Sequence, residues 1–417
     1  MKSPIPLAAA TVVVLAVAVT GCAGSGSSAT TTLEFQTATG ADSPVFAELE
    51  AAAEAFTKEN PEIAIDVIPQ TSSYEADMKV RLAADDVPDI MGTHGWSLLR
   101  YSPFLEPLKA QAWNADVNPA LNDAMRGEDD EIYALPIVTD VAGLVVNYDV
   151  LESVGASASD LTTWSGFTEV AEKIAATGIA PIVVGGKDEF QGNVVDWMAS
   201  AYYDEASLQD LGEGTWVNEP YEEMLTLVDD WRAADLFNDD YSSATGDDMA
   251  RALADGQGAF EFGQNSRITA ALDYNPDANI GYIPVPALEG GDPFLIGGEM
   301  VAFGTARGGE HLEESLKFLN FLSEPDRIAS LAAAAGNAPG LVTADVKLAG
   351  PLADSYNEYA ASGEVPLVPY FDRVYLPNGM WDTMVTTTDA VITGQQNPSA
   401  ATSQMASDFD SLFSQSK

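Results

Sequence analysis

The sequence predicts an α/β fold with parallel strand pairing, and three observations support this prediction. Between residues 32 and 96, apolar strand patterns alternate with amphipathic helix patterns. Two strands separated by a helix run in the same direction, so this order favours a parallel sheet. The chain has 417 residues without an internal repeat. About 395 of them follow an N-terminal leader, which is enough for two lobes with hydrophobic cores.

The first predicted element is a strand at residues 32–38, TLEFQTA, which ends in polar residues. Ser43 and Pro44 then mark the start of a helix, because serine caps the first free N–H groups and proline fits the first turn. Apolar residues follow at helical spacing until Asn60–Pro61, where the proline ends the helix. These signals define the first strand–helix unit.

A second strand, IAIDVIPQ, occupies residues 63–70. Ser72 and Glu75 fit a capping box, which predicts a helix that runs through Leu82. A short buried strand pattern at residues 87–96 then enters a glycine-containing turn. Ligands bind beyond the carboxyl ends of parallel strands. The polar and aromatic residues at those ends are Gln36, Thr37, Thr93, His94 and Trp96.

The rest of the chain continues the alternation of strands and helices. The predicted segments are an acidic hairpin tip at 128–131, an apolar segment at 132–155, a helix from Thr163 to Gly178, a strand at 180–186, a long helical stretch over 193–235, a helix end, strand and polar turn at 253–266, strands at 279–288 and 297–304, helices at 311–323 and 325–336, and a proline-rich bend at 363–379 followed by helices.

The composition is strongly acidic, with 18 Lys and Arg residues against 64 Asp and Glu residues and a formal net charge of −46. Such a surface repels phosphate backbones and anionic lipid headgroups, which argues against nucleic acid as a partner. The acidic composition indicates a soluble surface, for which salt adaptation is one cause. Attraction of a cationic ligand is the alternative interpretation of this composition. Two histidines and one cysteine leave almost no ligands for zinc or a Cys/His dyad. We therefore predict no metal and no cofactor.

The N-terminal 21 residues predict a cleaved signal peptide. Lys2 precedes an apolar run from Pro6 to Val19, which is short for a membrane span and suits a signal peptide. Val19-Thr20-Gly21-Cys22 resembles the lipobox of bacterial lipoproteins, which implies lipid modification of Cys22. Residues 22–32 are then a flexible, lipid-anchored tether. An ordinary signal peptide with an incidental cysteine is the alternative.

Four stretches carry a further pattern: YALPIVTDVAGLVVNYDVLESVGA at 133–156, TTWSGFTEVAEKI at 162–174, ALADGQGAFEFGQNS at 252–266, and the segment 297–340. In this order they resemble the family 1 extracellular solute-binding proteins of ABC importers, the maltose and multiple-sugar binding group. The resemblance covers residues 33–417. It implies an α/β, two-lobed periplasmic-binding-protein-like fold, in which a hinge closes both lobes on a ligand in the cleft.

The resemblance also implies a division of the chain. Lobe one is expected to contain residues 33–137 and 280–330, and lobe two residues 138–279 and 331–417. One departure concerns the turn after the strand at 259–262, where the family often has an Asn-Gly-x-Trp-like sequence and this chain has Gly263-Gln264-Asn265-Ser266. An aromatic platform is missing at that position, so the family's ligand cannot be carried over.

A sugar presents flat C–H faces that stack on aromatic rings and hydroxyls that need donors and acceptors. Trp96, Trp197 and Trp381 are the stacking candidates, and each could instead be a core tryptophan. For Trp197 the two interpretations are balanced. Trp96 follows a strand end, and Trp381 lies in PNGMWDTM, where the family commonly presents an aromatic residue to the cleft. The tryptophans assigned to packing are Trp164, Trp216 and Trp231.

Two carboxylates are the main polar candidates. The resemblance implies that Asp140, after the strand that enters lobe two, contacts sugar hydroxyls, with an exposed turn carboxylate as the alternative. Glu299 is expected to accept hydroxyl protons beside Gly298, which lets a ligand approach the backbone; a surface carboxylate is its alternative. The other candidates are Gln36, Asp42, Tyr74, His94, Gln264, Asn265 and Arg373. A structural hydrogen-bonding histidine is the alternative for His94, and Arg373 is either an ion-pair partner or a clamp for an acidic sugar.

These features predict a monomeric receptor on the extracellular face of the cytoplasmic membrane, anchored through Cys22. It would capture a carbohydrate, an oligosaccharide, and deliver it to an ABC transporter permease without making or breaking a bond. Ligand would favour the closed state because it contacts both lobes. Two alternatives stay open: the same fold binding a polyamine or peptide, and a secreted glycoside hydrolase with two carboxylates. The sequence has no nucleophile elbow, phosphate loop or metal-ligand spacing.

Overall fold

Two β-sheets, each covered by helices, organise the computed structural model. The structure describes residues 31–71, 74–93, 98, 101–127, 130–348, 350–361, 364–377 and 379–415. The predicted signal peptide and Cys22, the capping serine at 72, and the candidate residues His94 and Trp96 lie outside the described residues.

Among the described residues, seven strands form the larger sheet: β1 (Thr31–Gly40), β2 (Ile63–Gln70), β3 (Ile90–Thr93), β4 (Leu135–Ala142), β9 (Leu295–Thr305), β10 (Ala338–Pro339) and β11 (Leu367–Pro369). Their order is β10-β4-β9-β3-β1-β2, with β11 beside β9. β1 pairs in parallel with β2 and with β3, as the strand–helix pattern predicts. β9 runs antiparallel to both β3 and β4, because it returns from the other lobe.

In the same described ranges, four strands form the smaller sheet: β5 (Leu144–Asn147), β6 (Ala180–Ile182), β7 (Gly258–Phe262) and β8 (Ile280–Ile283). Their order is β6-β7-β5-β8. β6 and β7 are parallel, and β5 is antiparallel to both of its neighbours. We refer to the larger sheet with its helices as lobe one and to the smaller sheet with its helices as lobe two.

Helices cover both sheets. Those on the first half of the chain are α1 (Pro44–Glu59), α2 (Tyr74–Ala83), α3 (Asn122–Met125), α4 (Tyr148–Ser153), α5 (Trp164–Ala175), α6 (Gln191–Tyr202) and α7 (Glu205–Gly212). Those on the second half are α8 (Asn218–Ala233), α9 (Gly246–Ala254), α10 (Ser266–Tyr274), α11 (Leu312–Leu322), α12 (Pro325–Ala335), α13 (Gly350–Ser355), α14 (Phe371–Tyr375), α15 (Met380–Ile392) and α16 (Pro398–Gln415).

Local sequence signals set the ends of several helices. The Ser43 side chain accepts a hydrogen bond from the N–H of Val45, and Pro44 occupies the first turn of α1, as predicted. α12 ends at Gly336, whose φ of +66° is a left-handed conformation that glycine adopts without the penalty of a Cβ. The start of α5 is capped by the Thr163 side chain.

Each lobe has its own hydrophobic core. In lobe one, the rings of Phe35 and Phe303 meet edge to face at 4.7 Å, and Phe56 meets Phe318 at 5.1 Å. In lobe two, Phe167 and Phe260 from facing elements are 4.9 Å apart inside a second cluster. These two clusters pack separately, one in each lobe.

The long strands β4 and β9 cross from one core to the other. Leu135 at the start of β4 packs in the core of lobe one, whereas Ala142 at its end packs in the core of lobe two. Their pairing shifts register around Val138, which marks an irregularity midway along the crossing. β8 pairs with β5 in the smaller sheet, although the predicted division assigns residues from 280 to lobe one. The division itself remains a prediction.

Two segments differ in detail from the sequence pattern. The helical stretch over 193–235 is broken into α6, α7 and α8, because Asp204 caps a new helix and Gly214 has a φ of +89°. The bend at 363–379 contains the short strand β11 and the helix α14. In the part of the chain that the structure describes, we find no helix with the length and apolarity needed to cross a membrane.

Candidate functional site

A buried polar cluster forms where β4 and β9 cross between the lobes. Asp140 lies within β4 and not after the strand, where the sequence pattern predicts it, and it is 2% exposed. Its Oδ1 accepts a hydrogen bond from Nδ2 of Asn337 at 2.9 Å, and its Oδ2 accepts one from the hydroxyl of Tyr370. Asp140 is therefore not the exposed turn carboxylate that was its alternative. Its carboxylate links β4 to two later parts of the chain.

Asn337 and Asn265 extend this cluster into lobe two. The Asn337 Oδ1 accepts from the N–H of Val141 at 3.2 Å and from Nδ2 of Asn265 at 3.0 Å. Asn265 also donates to the carbonyl of Val141 at 2.7 Å. Asn265 follows β7 and Asn337 follows α12, so the two amides tie both segments to Val141, near the carboxyl end of β4. These hydrogen bonds between buried groups hold the backbone in one arrangement, and the Asn265 Oδ1 has no partner among the described residues.

The ring of Tyr370 is the apolar centre of the cluster. It meets Trp197 of α6 edge to face at 5.4 Å, and the guanidinium of Arg373 lies 4.1 Å from its centre. A Cβ on Gly298 would come within 3.2 Å of this ring, so the glycine of β9 leaves room for it. Trp197 is fully buried and donates from Nε1 to the carbonyl of Gly143 at 3.0 Å. Its position is that of a core tryptophan.

Two further carboxylates, Asp196 of α6 and Asp372 of α14, face each other in this cluster. The Oδ1 of Asp196 accepts from the backbone N–H of Asp372 at 2.9 Å, and both residues are buried. Burial, followed by the charge of Asp372, raises the pKa of Asp196 well above its ordinary value. Neighbouring carboxylates in a medium of low polarity cannot both ionise easily. The pair therefore keeps a proton at pH values at which an isolated carboxyl group has already lost it.

The other ionisable groups of the cluster are shifted in related ways. Burial raises the pKa of Asp140, while the Tyr370 hydroxyl, the charge of Arg373 and the Asn337 amide oppose that rise. Burial alone would lower the pKa of Arg373, but Tyr370 and the three carboxylates at 372, 140 and 196 outweigh it and raise that pKa. Arg373 is thus surrounded by acidic groups, which favours its ion-pair interpretation over a clamp for an acidic sugar.

Glu299 lies on β9 opposite Thr139 and is 2% exposed, so it is not the surface carboxylate that was its alternative. The Arg373 Nη1 lies 3.5 Å from its main-chain carbonyl. The crossing thus brings together five predicted site residues with Trp197: Asp140, Asn265, Gly298, Glu299 and Arg373.

The start of α6 carries two half-buried aromatic rings. Phe190 precedes the helix and follows the carboxyl end of β6, where ligands bind in parallel α/β sheets. Trp381, in the first turn of α15, rests on the same turn: a Cβ on Gly192 would be 2.7 Å from its ring. Both rings keep part of their surface exposed. Gln191, the first residue of α6, directly follows Phe190. It is buried, and its Oε1 has no hydrogen-bond partner among the described residues.

Three predicted site residues of lobe one and one of lobe two have other surroundings. The Tyr74 ring is 7% exposed and its hydroxyl donates to the carbonyl of Gly92 at 2.6 Å, which is a packing role. The Gln36 amide donates to the carbonyls of Thr37, Ile68 and Pro69. Asp42 is exposed in the turn after β1, and Gln264 is half-buried after β7. Their ligand contacts remain predictions.

Several residues of the site were missed from the sequence. Phe190 follows the glycine-rich end of a predicted strand, and that position was the available signal. Asn337, Tyr370, Asp196 and Asp372 have no such signal, because their partners lie far away in sequence. Of the tryptophans assigned to packing, Trp164 and Trp231 are buried and Trp216 is half-buried. No group of three metal-binding side chains occurs within the described ranges.

Comparisons with known proteins agree on one family. Residues 51–362 match the model of the bacterial extracellular solute-binding proteins. The melibiose/raffinose/stachyose-binding protein MelE of Bacillus subtilis (strain 168) is 27% identical over 409 residues, which are 93% of this chain and 90% of MelE.

Two solved structures are also similar along their whole length. A binding protein of Bacillus subtilis in an open conformation has a TM-score of 0.85 and 26% identity, covering 94% of this chain and 100% of that chain. A sugar transporter protein of Bacillus licheniformis in complex with stachyose has a TM-score of 0.78 and 27% identity, covering 91% of this chain and 100% of that chain. The predicted two-lobed α/β fold is thereby confirmed, and the chain belongs to the bacterial extracellular solute-binding protein family.

Proposed function

We propose that the protein is an extracellular receptor that captures an oligosaccharide between its lobes and delivers it to the permease of an ABC transporter. The observation that carries this proposal is the pair of half-buried rings, Phe190 and Trp381, at the start of α6. Aromatic faces in this setting stack on the C–H faces of sugar rings. They also compensate for the missing aromatic residue at 266.

The similarity to named sugar-binding proteins supports the class of ligand. MelE is named for melibiose, raffinose and stachyose, and the Bacillus licheniformis structure contains stachyose. Raffinose and stachyose are therefore the first ligands to test. The Gln191 amide, which directly follows Phe190 in the chain, suits a hydroxyl-rich ligand because amides both donate and accept.

The mechanism that we propose is a population shift without chemistry. A ligand held by Phe190 and Trp381 on lobe two and by residues of lobe one binds the closed state more tightly than the open state. The buried cluster around Asp140 fixes the crossing strands, so that the lobes turn about a defined axis. No catalytic residue is assigned, and a glycoside hydrolase is the alternative that the test must exclude.

We further propose that Cys22 carries a lipid that anchors the receptor to the outer face of the cytoplasmic membrane. The Val19-Thr20-Gly21-Cys22 sequence and the Gly/Ser/Thr-rich tether after it support this anchor. Replacement of Cys22 by alanine is expected to move the protein from the membrane fraction to the medium. Retention of the variant at the membrane would contradict the anchor.

The test of the function is a thermal-shift screen of the purified protein. The panel contains melibiose, raffinose, stachyose and maltose-type oligosaccharides, with spermidine and a short peptide as the non-sugar arms. A ligand at 100 times its dissociation constant stabilises the native state by about 2.7 kcal/mol, which is a clear rise in melting temperature.

A rise with one class of sugar, followed by recovery of the intact sugar, is the expected result. A rise with spermidine or the peptide alone would replace the carbohydrate assignment by a different solute. Cleavage of a glycoside during the incubation would make the protein an enzyme. Absence of any shift across the panel would contradict the receptor function.

A further inference from the structure

A buried ion pair lies behind the Phe190 ring in lobe two. Glu261 of β7 is 1% exposed and Arg267 of α10 is 12% exposed. The Arg267 Nε is 2.6 Å from the Glu261 Oε1, and the Arg267 Cζ is 5.0 Å from the centre of the Phe190 ring. Carboxylate, guanidinium and ring thus form a stack of three groups, which we name the Phe190 stack.

Two glycines make room for the Phe190 stack. A Cβ on Gly263 would lie 2.7 Å from the Cγ of Arg267, and a Cβ on Gly246 would lie 3.0 Å from the Phe190 ring and 3.3 Å from the Arg267 Nη1. A side chain at 263 would therefore displace Arg267, and a side chain at 246 would press tightly against both Phe190 and Arg267. Arg267 also donates from Nη2 to the carbonyl of Gly246, which fixes the plane of the guanidinium.

The ion pair is expensive to bury, because both charges lose their hydration. Apolar residues of similar volume at these positions would stabilise the core at least as well. The pair does something that apolar packing does not: it places a planar cation against an aromatic ring in one orientation. The ring it supports is one of the two that we assign to ligand stacking.

We propose that Glu261 and Arg267 are positioning residues, which hold the Phe190 ring in the orientation that receives the ligand and so make ligand affinity depend on the ionisation of Glu261. This inference rests on the proposed function, since it concerns the same binding site. Neither residue contacts the ligand in this proposal. Glu261 acts through Arg267, and Arg267 acts through Phe190.

The pH dependence follows from the surroundings of Glu261. Burial raises its pKa to about 7, and the charge of Arg267 and its hydrogen bond only partly offset that rise. The Glu261 Oε2 is buried with no hydrogen-bond partner among the described residues, so it can carry the proton. Below pH 7 the carboxyl becomes neutral and its hold on Arg267 weakens, so affinity falls as the pH falls.

Other ionisable groups close to the Phe190 stack have different partners. On α9, Asp247 accepts from the Tyr274 hydroxyl and Asp248 accepts from the hydroxyl of Thr245, and both are exposed. Asp188, in the turn before Phe190, accepts from the N–H of Gly246 at 2.8 Å. Arg267 is the charged group that contacts Glu261. A change of affinity with a midpoint near pH 7 is therefore assigned to Glu261.

The experiment measures the dissociation constants of raffinose and stachyose between pH 5.5 and 8.5 by calorimetry. We expect the wild-type affinity to fall by up to about tenfold from pH 8.5 to pH 5.5, which is the size of an aromatic stacking contribution. The amide in Glu261→Gln does not titrate, so at every pH this variant should have the affinity that the wild type has at pH 5.5. Arg267→Lys keeps the charge but loses the planar guanidinium, and it weakens binding at every pH.

The chain supplies a matched control on lobe one. Glu324, Arg327 and Phe321 form the same kind of stack away from the crossing, with Arg327 Nε 3.1 Å from the Glu324 Oε2 and Arg327 Cζ 3.5 Å from the Phe321 ring. Glu324→Gln is expected to keep the wild-type affinity and pH profile. Phe190→Tyr is expected to retain most of the affinity, and Phe190→Leu to lose it.

The outcomes separate this inference from the proposed function. Wild-type protein that binds none of the sugars contradicts both. Wild-type protein that binds sugar, together with a Glu261→Gln variant of unchanged affinity and unchanged pH profile, contradicts the positioning role alone. If circular dichroism shows that Glu261→Gln does not fold, the affinities of Arg267→Lys and Phe190→Leu test the inference instead. Wild-type affinity in both of these variants overturns it.

Discussion

The hydroxyl of Tyr370 donates a hydrogen bond to the carboxylate of Asp140, although 230 positions separate the two residues in the chain. The bond joins β4 to the residue that precedes α14, in the cluster where the strands cross between the lobes. Both groups are buried, so the bond forms in surroundings of low polarity where an unpaired carboxylate would be costly.

Removal of this bond is expected to destabilise the protein. Tyr370→Phe keeps the ring but leaves Asp140 with one fewer donor, and we expect a loss of about 2 kcal/mol in the free energy of unfolding. Urea denaturation measures it. Tyr274→Phe is the control, since it removes a similar hydroxyl–carboxylate bond from a 42% exposed side chain. Equal effects of the two substitutions would contradict a special role for Tyr370.

The amide of Asn337 is expected to contribute more than a surface amide. Asn337→Ala removes hydrogen bonds to Asp140, Val141 and Asn265, all of which are buried. We expect a loss of about 3 kcal/mol in unfolding free energy, because several buried polar groups lose partners together. Asn279→Ala, which removes one exposed bond to Asp149, is expected to cost less than about 1 kcal/mol. If Asn337→Ala lost less unfolding free energy than Asn279→Ala, the expected contribution of the buried hydrogen bonds would be contradicted.

The Asp196–Asp372 pair predicts a pH dependence of stability. Folding raises the pKa of Asp196 from its ordinary value of 3.8. The native state therefore keeps a proton that the unfolded chain releases, and stability falls as the pH rises through the folded pKa. Asp196→Asn keeps the Oδ1 acceptor without this penalty, so its advantage over wild type should grow as the pH rises.

Denaturant unfolding at a series of pH values measures this difference. Asp204→Asn provides a control of opposite sign. The hydrogen bonds from Ser207 lower the pKa of Asp204, so its contribution is present above the unfolded pKa and is lost only as the pH falls through the folded value. The change of this contribution with pH is therefore confined to acid solution. A constant difference between Asp196→Asn and wild type at all pH values would refute the predicted shift.

The two tryptophans of lobe two are expected to separate binding from stability. Trp381→Ala removes a half-exposed ring from the proposed site, and we expect raffinose or stachyose affinity to fall by about thirtyfold. Trp197→Phe removes the donor to the Gly143 carbonyl inside the core and is expected to cost about 1 kcal/mol of stability with affinity within about threefold. Calorimetry and urea denaturation on both variants check this, and the reverse pattern would reassign the two rings.

The local sequence determined much of the architecture. Ser43–Pro44 and Asn60–Pro61 bounded α1, the apolar run at 63–70 gave β2 its full extent, and Pro325 and Gly336 bounded α12. Such signals act within one turn or one strand, because capping, proline geometry and left-handed glycine are properties of a few adjacent residues. The order of these elements also predicted the parallel pairing of β1 with β2 and β3.

The tertiary structure alone decided the site. Whether Trp197 is a core residue and Trp381 half-exposed depends on how α6 and α15 pack, and both occur in amphipathic patterns of similar appearance. The partners of Asp140 come from positions 337 and 370, and no local pattern names them. Burial, charge compensation and pKa arise from groups that only folding brings together. Local patterns therefore set the elements and their order, whereas long-range packing set which side chains are buried at the crossing and which stay partly exposed.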